Sequence, residues 1–200
     1  MTAPSAPGLV SVEAALEAVL AGVLPVESGR LATASTLGRV LAQPAVARVS
    51  LPPWDNSAMD GYAIRATDTQ AGSPDAPVEL RVIGDLRAGA APAVSVGPGT
   101  AVRIATGARL PDGADAVVPV ELTTPLDAGG NPGPRGRDAS GPLPAACLVH
   151  EAVPAGGSVR AAGSDLRAGA TLLGAGSAMT AAAIALVAGA GVDELSLIHI

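Results

Sequence analysis

Between residues 49 and 154, short β-branched runs are repeatedly cut by glycine and proline, and this punctuation restricts the segment to short strands joined by tight turns. The runs fall at 79–83, 100–104, 116–120 and 147–153, with Pro-Asp-Gly at 111–113 and Gly-Pro-Gly at 97–99 as turn signals. A small β-rich domain is expected there. Inside it, residues 123–145 (TTPLDAGGNPGPRGRDASGPLPA) are rich in proline and glycine and lack periodicity, which predicts a flexible loop.

The flanks read differently. Val12, Leu16, Val19, Leu20 and Val23 recur at helical spacing after Ser11, a suitable N-cap, so a helix is expected over 11–23, ending near Gly22 and Pro25. A shorter helix is expected over 34–42, with Leu37, Val40 and Leu41 inward, and a strand over 46–49 before Pro52 and Pro53. Residues 163–173 are turn-rich. A last helix fits 181–190, capped by Thr180 and stopped by Gly191. The expected class is α+β. A helical linker and dimerisation region formed from 1–48 and 155–195 would carry an inserted β-rich domain at 49–154.

Composition narrows the function classes. The chain is 48% hydrophobic but 1% aromatic, so its core must be built from Ala, Val and Leu, which bury less area per residue. A formal charge of −6 with singly scattered Arg argues against a nucleic-acid phosphate binder. Cys147 is the sole cysteine, which excludes an internal disulfide and a cysteine-based zinc cluster. The first residues lack the basic and apolar regions of a signal peptide, and the apolar stretch at 178–190 is too short to span a bilayer. The expectation is a cytoplasmic protein with no nucleic-acid or membrane partner.

Three stretches carry chemistry. In the string running from Leu51 to Ala63, two prolines stiffen the entry to a cluster of polar groups. Asp55 and Asp60, five apart, suit sharing a magnesium ion or orienting a water; Asp55-Asn56-Ser57 equally suit capping a turn that Gly61 ends. In the second stretch a strand ends at Thr106-Gly107, where a hydroxyl beside exposed N–H groups suits an oxyanion, while a plain hairpin loop fits the same spacing. In the third, Arg160 suits a phosphate or carboxylate and Asp165 a cap or ligand, against a surface Arg followed by a turn Asp.

Together these blocks resemble the molybdopterin molybdenumtransferase family, bacterial molybdenum-insertion enzymes whose eukaryotic relative is the E domain of gephyrin. Asp55-Asn-Ser-Ala-Met-Asp-Gly-Tyr-Ala63 carries most of the resemblance. Arg103-Ile-Ala-Thr-Gly-Ala108 with Pro111 and Gly113-Ala-Asp-Ala-Val-Val118 follows in order, and weaker blocks lie at 37–42 and 159–169. The resemblance covers about residues 10–195, and an ordered set of blocks is far more specific than a lone glycine motif.

The resemblance implies a homodimeric, cytoplasmic enzyme of molybdenum cofactor biosynthesis. It would take molybdate and adenylated molybdopterin as substrates and use Mg²⁺ in releasing AMP. It implies Asp60 and Thr106 as catalytic residues, Asp60 also as a metal ligand, and Arg160, Asp165, Ser57 and Gly107 as cofactor-binding residues. Ala161 and Ala162 stand where the family often has Arg, and Ser164 where Glu is usual, which weakens the local positive potential. The family continues into a doubly wound α/β domain carrying the pterin surface. Ser196-Leu-Ile-His-Ile200 does not resemble its first strand and reads as a truncated or artefactual tail, so His199 has no catalytic role. His150 reads as structural. Without that domain the chain is expected to be inactive alone; a non-catalytic dimerisation or scaffold module is the alternative.

Overall fold

Among the described residues α-helix is confined to two stretches, each introduced by a side chain that satisfies an otherwise unpaired N–H. Ser11 Oγ accepts from Ala14 N at 3.1 Å, and Thr180 Oγ1 accepts from Ala183 N at 3.2 Å. The structure, a computed structural model, describes residues 9–24, 26–136 and 141–198. In chain order these form α1 (Val12–Leu20), β1 (Ser28–Ala32), β2 (Val40–Leu41), β3 (Ala45–Val46), β4 (Asn56–Ser57), β5 (Gly61–Ile64), β6 (Val78–Leu86) and β7 (Thr100–Ile104). They continue with β8 (Ala116–Pro119), β9 (Thr123–Leu126), β10 (Ala146–Val149), β11 (Val159–Arg160), β12 (Thr171–Leu173), α2 (Ala181–Gly189) and β13 (Glu194–Ile198). The described chain is thus mostly sheet with two α-helices, whose segments match the sequence expectation at slightly shorter lengths. Neither is long and apolar enough to cross a membrane.

Two units separate. One comprises the described residues up to Val46 and from Thr171 onward; the other is Ala47–Ala170. Residues 155–170, read above as part of the terminal region, therefore belong with the β-rich unit.

The first unit is not simply helical. β13 is the middle strand of a three-stranded sheet in the order β1-β13-β2, with Leu197 paired to both Gly29 and Leu41. Leu195 and Leu197 are buried beside Leu41, Met179, Val187 and Val192. Residues 196–198, expected as a truncated or artefactual tail, are paired in this sheet as part of β13; 199–200 lie outside the described residues. The helix expected over 34–42 is also absent. Thr33–Ser35 form one 3-10 turn, Gly38 has a left-handed φ of 76°, and Val40–Leu41 pair with β13. Three apolar residues spaced like a helix here belong to a turn followed by a strand. The strand expected over 46–49 is shorter and earlier, Ala45–Val46, paired with β12.

The second unit is built on a six-stranded sheet in the order β8-β5-β7-β6-β10-β9, antiparallel except for the β6–β7 pair. Side chains alternate between its faces, and both faces are covered. Tyr62, Ile64, Leu80, Ala101, Val118 and Val149 pack in one cluster, while Ala63, Leu86, Val102, Ile104 and Val117 pack in another. This double burial explains the near-continuous apolar text of β5, β7 and β8. The loop expected over 123–145 is corrected in part. Thr123–Leu126 is edge strand β9, and Asp127 Oδ1 accepts from Gly129 N at 2.8 Å and Asn131 N at 2.9 Å, closing the turn after it. Residues 137–140 of that segment lie outside the described residues.

Candidate functional site

The second unit stitches the Asp-rich loop to the Thr-Gly bend through its backbone. Gly107 N donates to Ser57 O at 2.8 Å, and Ser57 N donates to Ala108 O at 3.0 Å. Gly107 has φ 80°, a left-handed conformation favourable to glycine, which turns the chain out of β7. Asp60 is fixed twice. Its carbonyl accepts from Val120 N at 3.0 Å. Its Oδ1 accepts from Thr106 N at 2.7 Å and from Thr106 Oγ1 at 2.8 Å. The Thr106 N–H, followed by its hydroxyl, holds the Asp60 carboxyl below the ordinary carboxylate range, so it is an anion at neutral pH.

This arrangement changes the roles assigned from the sequence. Thr106 presents both donors to Asp60, and Gly107 N to Ser57 O, so these N–H groups do not form an open oxyanion nest. Ser57 is buried, with its hydroxyl donating to Met59 O. It shapes the turn before Asp60. Arg160 pairs with Asp165 Oδ2 at 2.7 Å, and Asp165 Oδ1 accepts from Ser164 Oγ at 3.1 Å. Both members of that pair are exposed, so the attraction is screened and its energetic weight small. β11 brings Arg160 opposite Asn56, which ties the pair to the loop that carries Asp60.

Asp55 and Asp60 do not converge on one ion. Asp55 Oδ1 accepts from Ala162 N at 2.7 Å and lines a cleft separate from the cavity beside Asp60. Among the described residues no group of three His, Cys, Asp or Glu is placed to hold a metal. Asp60 alone, ionised and rigidly held, fits the way Mg²⁺ is usually bound, through one or two carboxylates with the remaining positions left to water and substrate phosphate.

A second acid beside Asp60 carries no role in the sequence reading. Asp85 on β6 takes two hydrogen bonds from Arg103 on β7, from Nε at 3.1 Å and Nη2 at 2.9 Å. Arg103 is buried and its Nη1 also donates to the carbonyls of Gly141 and Pro142, at 2.9 and 3.3 Å. The Arg103 hydrogen bonds are the main cause of a lowered Asp85 pKa. Asp60, Asp85, Arg87 and Arg103 line one small cavity of about 20 Å³, room for a single water. The signal in the sequence is Arg103 itself, a charge inside the apolar run Ala101-Val-Arg-Ile104, which burial obliges to find an acid. Its partner's position was not legible. Two further polar groups complete the picture. His150 Nε2 lies 2.9 Å from Thr124 Oγ1, tying β9 to the residue after β10, while buried Asn56 Oδ1 lacks a hydrogen-bond partner.

With this geometry, comparisons with known proteins are informative. The family described as "MoeA N-terminal region (domain I and II)" matches residues 10–191. A molybdopterin molybdenumtransferase of Synechococcus elongatus is 38% identical over 162 residues, covering 80% of this chain and 36% of that protein. Molybdopterin molybdenumtransferase 2 of Mycobacterium tuberculosis is 55% identical over 86 residues, 43% of this chain and 21% of that protein. A crystal structure of the molybdopterin biosynthesis MoeA protein from Pyrococcus horikoshii superposes with a TM-score of 0.80 at 29% identity, covering 95% of this chain and 44% of that one. The chain thus spans less than half the length of these relatives. By the extent of the family match and by its fold, the chain belongs to the family of the MoeA N-terminal region.

Proposed function

We propose that the chain serves in molybdenum cofactor biosynthesis as the N-terminal region of a molybdopterin molybdenumtransferase. The full-length enzyme would insert molybdate into adenylated molybdopterin with Mg²⁺-dependent release of AMP. The carrying observation is the Asp60–Thr106 pair, a carboxylate locked as an anion by two donors from one residue at the edge of a water-sized cavity. Asp60 orients water or hydrated Mg²⁺, and Thr106 fixes its rotamer and charge. Arg160 screens phosphate or molybdate charge, and Asp165 positions Arg160. The metal would supply charge neutralisation at the adenylate phosphates. Ala161 and Ala162 leave Arg160 without the adjacent Arg residues that the family often has there.

The test places Asp60→Ala and Thr106→Ala at the matching positions of a full-length family member. Cofactor formation is then read by activation of an apo-molybdoenzyme, with circular dichroism as the folding control. Asp60→Ala should lower formation by about 100-fold, a typical loss for a positioned acid or base, and Thr106→Ala by less. Unchanged maturation in both folded variants removes them from the site.

A second reading, a non-catalytic dimerisation or scaffold module of the same family, is favoured by α1. None of its residues is buried, and Val12, Leu16, Val19 and Leu20 stand exposed.

A further inference from the structure

β6 carries one residue more than β7 beside it. Val82 pairs with Ala101 and Gly84 with Val102, so Ile83 is a bulge. Beyond it Asp85 falls opposite Arg103; in unbroken register it would fall one step on, facing the other side of the sheet. Arg103 in turn stands opposite Tyr62 on β5, just after Asp60 and Gly61. The bulge therefore delivers a second carboxylate to the wall of the cavity beside Asp60, which Arg87 and Arg103 also line.

That cavity selects its occupant by size and by charge. Its volume of about 20 Å³ admits one water and nothing larger. Two guanidiniums in the wall oppose a bare cation, and two carboxylates oppose an anion. What fits is a small neutral molecule that both donates and accepts hydrogen bonds. Its partners are at hand. Thr106 bonds Asp60 only at Oδ1, which leaves Oδ2 as an acceptor. Asp85 is fixed by Arg103 at 3.1 and 2.9 Å. Arg87, largely exposed, adds one long contact of 3.4 Å to the same acid, so its other N–H groups remain as donors.

We propose that Asp85 is a positioning residue of the Asp60 site: with Arg87 it holds one ordered water in this cavity, against Asp60 Oδ2. The inference rests on the functional reading above for its role, since that reading has Asp60 orient a water; it names the seat of that water and the groups that hold it. Arg103 fixes Asp85, the bulge aims it, and Thr106 occupies the other oxygen of Asp60.

Nuclear Overhauser spectroscopy on the chain detects such a water directly. Cross-peaks from water to the Gly61 and Ala105 amides, both in the cavity wall, should carry the sign of a long-lived water. Arg87→Met and Asp85→Asn should each abolish them, and Arg87→Lys should keep them. Arg87 is an exposed side chain, so its replacement leaves the sheet intact and the test does not depend on Asp85→Asn folding. If Asp85 served only to pair Arg103, loss of Arg87 would leave the cross-peaks in place. In a full-length family member with an acid and an arginine at the matching positions, the same two substitutions should lower kcat about tenfold with KM unchanged, the cost of loosening a reacting group. The proposal is overturned if the wild-type chain shows no such cross-peaks, if they survive both substitutions, or if kcat is unchanged in a protein where Asp60→Ala lowers cofactor formation. Should Asp60→Ala be without effect, the functional reading fails, and the cross-peaks still decide the water site.

Discussion

A carboxylate that takes two hydrogen bonds from one threonine is restrained in rotamer and in charge, and the two effects can be separated. Thr106→Val removes the hydroxyl but keeps the N–H, the larger cause of the lowered Asp60 pKa. The Asp60 carboxyl should therefore move only part of the way back toward its ordinary value, as read by carbon-13 NMR titration. Asp85 is the stronger case for stability, because Arg103 is buried and its other donors hold the Gly141 and Pro142 carbonyls. Arg103→Met should destabilise the chain by about 3 kcal/mol, the lower end for a broken buried pair because Asp85 is partly exposed, measured by urea denaturation. The pH dependence follows from the direction of the shift. With a folded-state pKa below the unfolded one, the contribution of Asp85 is complete above the ordinary carboxylate range and fades as pH falls through the folded value. Arg103→Met should accordingly flatten the acid limb of the stability profile.

At the scale of the elements, two strands repay mutation. Gly61 opens β5 directly against β8, where a Cβ would collide with the Val118 carbonyl oxygen. Gly61→Ala should cost about 1–3 kcal/mol or more, since backbone cannot yield as a flexible side chain does. It should also shift the Asp60 resonance, because the adjoining residue moves with the strand end. β13 makes the opposite point. Its residues complete a sheet whose other strands come from the opposite end of the chain, so Leu197→Ala should destabilise the first unit by about 2–4 kcal/mol. A chain ending at Leu195 should lose amide protection in β1 and β2 together. Retained protection in hydrogen exchange would show that those strands do not need β13.

At the scale of the whole molecule, α1 stands out as a helix none of whose residues is buried. A nine-residue helix is marginal in water alone, and its Ser11 cap supplies only about 1 kcal/mol. If the chain is a homodimer through this face, Leu16→Glu with Val19→Glu should shift sedimentation from dimer to monomer without altering the sheet spectrum. A wild-type chain that remains monomeric at high concentration removes the dimer reading.

The residues alone determined the features that depend on local chemistry. Glycine and proline cut the centre into strands, Ser11 and Thr180 cap two helices, and the string from Asp55 to Ala63 marks the family. They also placed Asp60 and Thr106 in one site, through a resemblance rather than through any spacing that measures their separation. What local chemistry could not reveal was partnership. β13 is a core strand because Gly29 and Leu41 lie on either side of Leu197, and the segment at 34–42 leaves the helix its spacing suggests because β13 offers β2 a ladder. The donors of Thr106 and Gly107 looked open to an anion until their acceptors, Asp60 and Ser57, were in place. Hydrogen bonds and sheet edges are satisfied by whatever the fold brings near, and residues distant along the chain become neighbours only when the sheet closes.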